Sequence, residues 1–245
     1  MEGFLISKVV FSSCELGVFD LLLGAERPLS AEEISQAVGT SVDGTERLLA
    51  ACAGLQLLNI HQDERAGTSM KRLLELMQKT CFKLSTGCSG ALAKQCTSAY
   101  PECTVTIFDL PKVVRTSREN FFSEANRRIG FYEGDFFKDP LPGADLYILA
   151  RILHDWTDQR CIELLQRVHQ ACRPGGSVLL VEALLYEDGS GPLTAQLYSL
   201  NMLVQTEGRE RSAAQYAALL TAAGFTSIQH RFTGKIYDAV LARKE

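Results

Sequence analysis

The stretch Asp145-Leu-Tyr-Ile-Leu-Ala-Arg-Ile-Leu-His-Asp-Trp156 decides the fold. Asp145 to Ala150 has the near-continuous apolar character of a strand covered on both faces, and the run breaks abruptly into Arg151, His154 and Asp155. Open α/β sheets place their chemistry at the carboxyl ends of their strands, so this histidine is expected at the mouth of such a sheet. Two acids follow in similar surroundings. Glu182 closes the apolar run Ser177-Val-Leu-Leu-Val181, and Glu207 sits in Gln205-Thr-Glu-Gly-Arg-Glu-Arg211. A base with two candidate carboxylate orienters is the skeleton of a proton-abstracting site.

Outward from that strand, from about residue 80 onward, short apolar runs alternate with helical stretches. Thr104-Val-Thr-Ile-Phe108, Ile129-Gly-Phe-Tyr132, Asp145 to Ala150 and Ser177 to Val181 read as strands, and residues 90–99, 111–122, 158–172 and 212–223 as helices. That alternation predicts a doubly wound α/β domain. Two last strands, Thr226-Ser-Ile-Gln-His-Arg-Phe232 and Ile236-Tyr-Asp-Ala-Val-Leu-Ala242, are joined by Thr233-Gly-Lys235, too short a link for a crossover, so they must be antiparallel. A parallel sheet finished by an antiparallel hairpin is typical of methyltransferases and argues against an ordinary dinucleotide dehydrogenase.

The amino-terminal part is organised differently. Residues 4–23 carry apolar positions at helical spacing, with Gly24 as a stop. Ser30-Ala-Glu-Glu33 is a capping box for a short helix, Ser41 opens a second one, and Leu55-Gln-Leu-Leu-Asn-Ile60 is expected to be a strand. Helix, helix and wing is the winged-helix pattern. The second helix offers only Arg47 as a basic group, and the whole chain of 245 residues has a net charge of −4, which gives no footprint for a phosphate backbone. Packing or dimerisation is therefore the expected use of this part, and nucleic acid is not an expected partner. The run at Phe4 to Phe11 is interrupted by Lys8, Glu15 and Asp20 before it reaches the length of a membrane span or secretory core. The cysteines (14, 52, 81, 88, 96, 103, 161 and 172) lie singly in apolar patterns, without metal spacing, so no metal site is expected; reduced thiols point to a cytoplasmic protein.

Further chemistry-bearing residues track the strand ends. Asp109 closes the second strand about twenty residues after a glycine turn, where an acid can accept both hydroxyls of a cofactor ribose. Gly134-Asp135-Phe136-Phe137 follows the third strand, where a backbone turn plus a carboxylate can hold an adenine amine against an aromatic ring.

Phe108-Asp-Leu-Pro111, Glu133-Gly-Asp-Phe-Phe-Lys-Asp-Pro140, Leu146 to Trp156, Pro174-Gly-Gly176 and Ser199 to Arg211 together resemble the S-adenosylmethionine-dependent O-methyltransferases that carry an N-terminal winged-helix dimerisation domain, the acetylserotonin O-methyltransferases among them. The resemblance covers residues 3 to about 65 and 87 to 244. It implies a winged-helix dimerisation domain over residues 1–68 and a Rossmann-like methyltransferase domain over 80–245, in a homodimer. By the same resemblance S-adenosylmethionine is the cofactor and a hydroxyindole, N-acetylserotonin, the methyl acceptor. His154 would take the proton from the 5-hydroxyl, with Glu182 and Glu207 holding the imidazole in the right tautomer. Gly87, Gly90, Asp109, Gly134, Asp135, Phe136 and Arg151 would bind the cofactor, and Asp155, Asn201 and Gln205 the acceptor.

The chain also departs from the family pattern. After Gly67 it passes almost at once to the glycine turn, so a helical segment that normally intervenes is absent. The turn itself, Lys83-Leu-Ser-Thr-Gly-Cys-Ser-Gly90, keeps Gly87 and Gly90 but lacks the family's acid, and no acidic residue occurs from Leu76 to Pro101. Met70 to Lys79 is expected to be helical. Two uses compete on this reading: a working O-methyltransferase, and a shortened relative that acts as a binding or regulatory partner of a full-length subunit.

Overall fold

The computed structural model describes residues 2–25, 27–55, 57–58, 85–86, 90–121 and 127–245. In chain order the elements are α1 (Glu2–Glu15), α2 (Val18–Gly24), α3 (Ala31–Val38), α4 (Val42–Gly54), β1 (Ser85–Thr86), α5 (Ala91–Ala99), β2 (Val105–Asp109), α6 (Pro111–Phe121), β3 (Ile129–Glu133) and β4 (Ala144–Ala150). After a 3-10 turn at Leu153–Asp155 come α7 (Asp158–Ala171), β5 (Cys172–Glu182), β6 (Leu184–Leu185), α8 (Leu193–Gln205), β7 (Arg211–Ser212), α9 (Ala213–Ala222), β8 (Thr226–Arg231) and β9 (Asp238–Arg243). They form two compact units, residues 1–65 with 183–213, and residues 66–182 with 214–245. Residues 183–213, which the sequence pattern groups with the methyltransferase part, cluster with the N-terminal helices.

In the first unit the helix expected over residues 4–23 is two helices. Gly17 takes φ +72°, a left-handed conformation that interrupts the helical ladder, and the chain resumes at Val18. The capping box at α3 forms: the Ser30 hydroxyl accepts from the Glu33 N–H at 3.2 Å and the Glu33 carboxylate from the Ser30 N–H at 2.8 Å. Ser41 caps α4 in the same way, accepting from the Gly44 N–H at 3.2 Å. The strand expected at Leu55–Ile60 lies partly outside the described residues; Leu57 itself bends back to donate to the Cys52 carbonyl at 2.9 Å. Val9, Val18, Ile34, Leu48, Ala51, Cys52 and Leu197 form the core, so α8 belongs to it. The sequence pattern gave no helix at α8, because Leu193 to Gln205 shows no single apolar stripe: Ala195, Gln196, Leu197, Ser199 and Met202 are all buried. Arg47 donates to the carbonyls of Ser199 at 3.1 Å and Gly208 at 2.9 Å, which ties it inside its own unit.

The second unit is built on a seven-stranded sheet in the order β3-β2-β1-β4-β5-β9-β8. β3, β2, β1, β4 and β5 are parallel, while β9 runs antiparallel to both β5 and β8. The antiparallel pair is the one the short link demands, and β9 lies between β5 and β8. One sheet face is packed by Ala93 and Cys96 of α5 against Val105, Ile107, Ile129, Leu146 and Ile148. Between Cys172 and Ser177 the pairing of β5 with β4 slips in a bulge made by Pro174-Gly-Gly176. A Cβ on Gly176 would lie 2.7 Å from Cys172 Sγ and 2.8 Å from the Asp145 carbonyl, so only glycine fits. Among the described residues no helix is long and apolar enough to cross a membrane.

Candidate functional site

His154 lies in the 3-10 turn that follows β4, and it is buried. The turn begins on Arg151 at φ +57°, a left-handed conformation costly for a bulky residue. Glu182, the last residue of the neighbouring β5, holds it there from a fully buried position. One carboxylate oxygen accepts from the N–H groups of Ile152 and Leu153, each at 3.0 Å, and the other stands 3.2 Å from Arg151 Nη1. Arg151 carries the link onward, its Nη2 lying 2.8 Å from Nδ1 of His154 and its guanidinium 5.4 Å from the Tyr237 ring centroid. A guanidinium has donors only, so Nδ1 is the acceptor and the neutral ring bears its proton on Nε2. Nε2 in turn is 3.5 Å from Asp155 Oδ1. Glu182, Arg151, His154 and Asp155 are thus brought together in one continuous chain of polar contacts.

Two further turns leave the same end of the sheet. Asp109 ends β2, where its Oδ1 accepts from the Leu110 N–H at 2.8 Å. Burial pushes its carboxyl above the ordinary aspartate range, and the Leu110 bond offsets part of that rise. A carboxylate that has lost water without gaining a cation is a good acceptor for a pair of hydroxyls. Gly134 is buried beside it, its N–H donating to the Asp109 carbonyl at 3.0 Å. A Cβ there would come within 2.9 Å of the Phe108 ring and 3.2 Å of Asp139 Cβ, which explains the glycine. Asp135 Oδ1 takes the Phe137 N–H at 2.9 Å and Asp139 Oδ2 the Asp135 N–H at 2.7 Å. The Phe137 bond most of all, and then the pairing with Lys138 at 3.0 Å, hold the Asp135 carboxyl below its usual range. Phe136, Phe137 and Trp156 meet edge to face, with centroids 4.8 to 6.2 Å apart.

Gly90 is buried and begins α5 at φ +63°, as a glycine turn between β1 and a helix requires. Gly87, Lys83 and the helix expected over residues 70–79 lie outside the described residues. In the first unit, Asn201 and Gln205 are successive-turn neighbours on α8, joined by a 3.0 Å side-chain bond, and Glu207 is exposed in the bend that follows. Asn201 and Gln205 line a cavity of about 690 Å³ within that unit, together with Leu48, Leu197 and Leu200. Tyr237, under Arg151, is invisible to pattern reading, since its approach to Arg151 depends on the hairpin closing. Among the described residues no group of three or more metal-ligating side chains occurs.

A half-buried acid at a strand end, a glycine that allows close approach and an adjoining aromatic fit an adenosine-bearing cofactor, and a buried histidine stands on the next turn. Comparison with known proteins agrees. Residues 57–226 match the family model of the O-methyltransferase domain, and residues 1–75 that of the O-methyltransferase dimerisation domain. Acetylserotonin O-methyltransferase of Gallus gallus is 46% identical, the match covering 99% of this chain and 95% of the relative. The Homo sapiens enzyme of the same name is 40% identical with the same coverage. The structure of human N-acetylserotonin methyltransferase in complex with SAM superposes with a TM-score of 0.66 at 39% identity, covering 99% of this chain and 94% of that one. An O-methyltransferase family 2 protein of Planctomyces limnophilus, in complex with apigenin, gives a TM-score of 0.82 at 23% identity over 99% and 93%, which speaks to the fold. The Gallus gallus match extends over 329 positions whereas the chain has 245 residues, so at least 84 positions of the match face a gap in this chain.

Proposed function

Because the chain belongs to the O-methyltransferase family and carries that family's dimerisation domain, we propose that it transfers a methyl group from S-adenosylmethionine to the 5-hydroxyl of N-acetylserotonin, giving melatonin, and does so as a homodimer. The observation that carries this reading is the buried His154 on a turn fixed by Glu182, at the sheet end that also bears Asp109. Relatives at 40 to 46% identity that bear the acetylserotonin name support the choice of acceptor.

S-Adenosylmethionine, when bound, supplies an electrophilic methyl group. The chain's own residues bind, orient and move a proton. Asp109 accepts the ribose hydroxyls, while Gly134, Asp135 and Phe136 hold the adenine side, with Gly87, Gly90 and Arg151 assigned to the rest of the donor. Asn201, Gln205 and Asp155 are assigned to the acceptor, and Glu207 to the histidine as a second carboxylate. His154 takes the hydroxyl proton on Nε2 as the oxygen becomes the nucleophile. Uptake there requires an unprotonated Nε2, so as Arg151 withdraws towards Glu182 the ring gives its Nε2 proton to solvent and takes one on Nδ1 before the base engages. Such a base contributes roughly 10²- to 10⁴-fold, and positioning of the two reactants supplies more.

Purified chain incubated with saturating S-adenosylmethionine and N-acetylserotonin tests the reading by mass spectrometry of the methylated product. Product is expected at a rate about a hundredfold below that of a full-length relative, since small misplacement of the donor carries a penalty of that order. The gap of at least 84 positions favours a second reading, a shortened relative that partners a full-length subunit. Donor binding with no product at all would select it.

A further inference from the structure

We propose that Arg167 is a positioning residue for the adenosine side of the methyl donor, clamping the Gly134–Asp139 turn from α7 so that Asp135 and Phe136 present a fixed surface. The inference rests on the donor assignment above. Arg167 Nε donates to the Phe136 carbonyl at 2.8 Å and its Nη2 to the Asp139 carbonyl at 2.6 Å. These carbonyls stand in the middle and at the end of the turn, so one side chain spans its second half. The bonds are charge-assisted, and the planar fork sets the separation of the two carbonyls as well as their direction.

A second arginine acts on the same turn. Arg160 lies two helical turns earlier on α7, so both project from one side of the helix. Its guanidinium stacks 3.6 Å from the Phe137 ring centroid and 5.7 Å from that of Trp156. The turn is therefore held both by its own Asp135 and Asp139 bonds and by two arginines of α7. Of the two arginines, only Arg167 reaches the backbone in these contacts. It is the residue whose loss should loosen the peptide units that aim Asp135 and Phe136. A lysine keeps the charge but cannot span both carbonyls, so Arg167→Lys is a perturbing substitution here.

The test compares wild type, Arg167→Lys and Arg167→Gln by two measurements. Hydrogen exchange of the amides of residues 135–139, which needs no donor, should quicken in both variants while the sheet amides stay protected. Calorimetric titration with S-adenosylhomocysteine and with its inosine analogue, in which the 6-amine is a 6-oxo group, reads the aim of Asp135. Affinity for the adenosine compound should fall on the order of tenfold and the preference over the inosine compound should shrink. A general loss of stability would lower both affinities together and leave their ratio unchanged. Unchanged exchange, or an unchanged ratio in a folded variant, overturns the inference and leaves the functional reading standing. Wild type that binds neither compound overturns that reading and the role of Arg167 with it.

Discussion

The turn after β3 and the turn after β4 leave the same end of the sheet, and their backbones are held by different chemistry. Gly134 to Asp139 closes on itself through the side chains of Asp135 and Asp139, takes two donors from Arg167, and contains no residue with positive φ. Arg151 to Trp156 starts from a left-handed arginine; a buried carboxylate, Glu182, satisfies two of its N–H groups and meets the guanidinium, and backbone bonds from Arg151 to Val181 and from Asp155 and Trp156 within the turn complete it. The first turn has redundant supports. In the second, a buried carboxylate meets both the backbone of the turn and the side chain of its strained residue.

The difference is sharpest if Glu182 is removed. Glu182→Ala leaves a partly buried guanidinium and two N–H groups without their acceptor, and breaking a buried pair of this kind costs about 3 to 5 kcal/mol. Urea unfolding of the purified variant should show that loss, whereas a change under about 1 kcal/mol would place Glu182 among ordinary surface pairs.

Asp109, beside the turn after β3, should affect binding more than folding. Asp109→Ala is expected to weaken S-adenosylmethionine binding by about ten- to a hundredfold, the worth of roughly 1.5 to 3 kcal/mol of charge-assisted bonding. Isothermal titration measures it, and unchanged affinity would remove the donor from this strand end. The pH dependence has a definite sign. Burial raises the Asp109 carboxyl above its unfolded value, so folding favours the neutral form. Its contribution to stability is present at low pH and is lost as pH rises through the raised value. Asp109→Asn should therefore raise the unfolding midpoint at neutral pH while it weakens donor binding.

The smallest effect should come from Thr157, which caps α7 by accepting from the Arg160 N–H at 3.4 Å. This helix begins where the base turn ends and carries Arg167 to the other turn, so its N-terminus serves both. Thr157→Ala should cost about 1 kcal/mol in urea unfolding, with a loss near zero showing that the long cap bond contributes little.

Much of this was legible in the sequence, and the reasons are specific. Apolar runs ending in Asp109, Gly134 and Arg151 fix where strands stop, and a short link between two strands leaves antiparallel pairing as the only solution. The capping box at Ser30 is local chemistry that nothing distant overrides. Three features were not legible. Gly17 splits the first helix because of its backbone conformation, which the apolar spacing around it conceals. α8 has no polar face to betray its period. Arg167 resembles any solvated helix arginine, since its partners are carbonyls brought close only when α7 packs on the sheet. For His154 the sequence expects Glu182 and Glu207 as orienters of the ring, whereas the structure puts Arg151 between Glu182 and Nδ1 and leaves Glu207 exposed.

The most direct test of His154 as the base is methyl transfer by His154→Ala, with S-adenosylmethionine affinity measured on the same preparation. Turnover of N-acetylserotonin should fall by about 10²- to 10⁴-fold, and donor affinity should stay within about twofold of the wild type. Retained turnover would contradict the account by removing His154 from the reaction, and a parallel collapse of donor affinity would contradict it by making the histidine a structural residue.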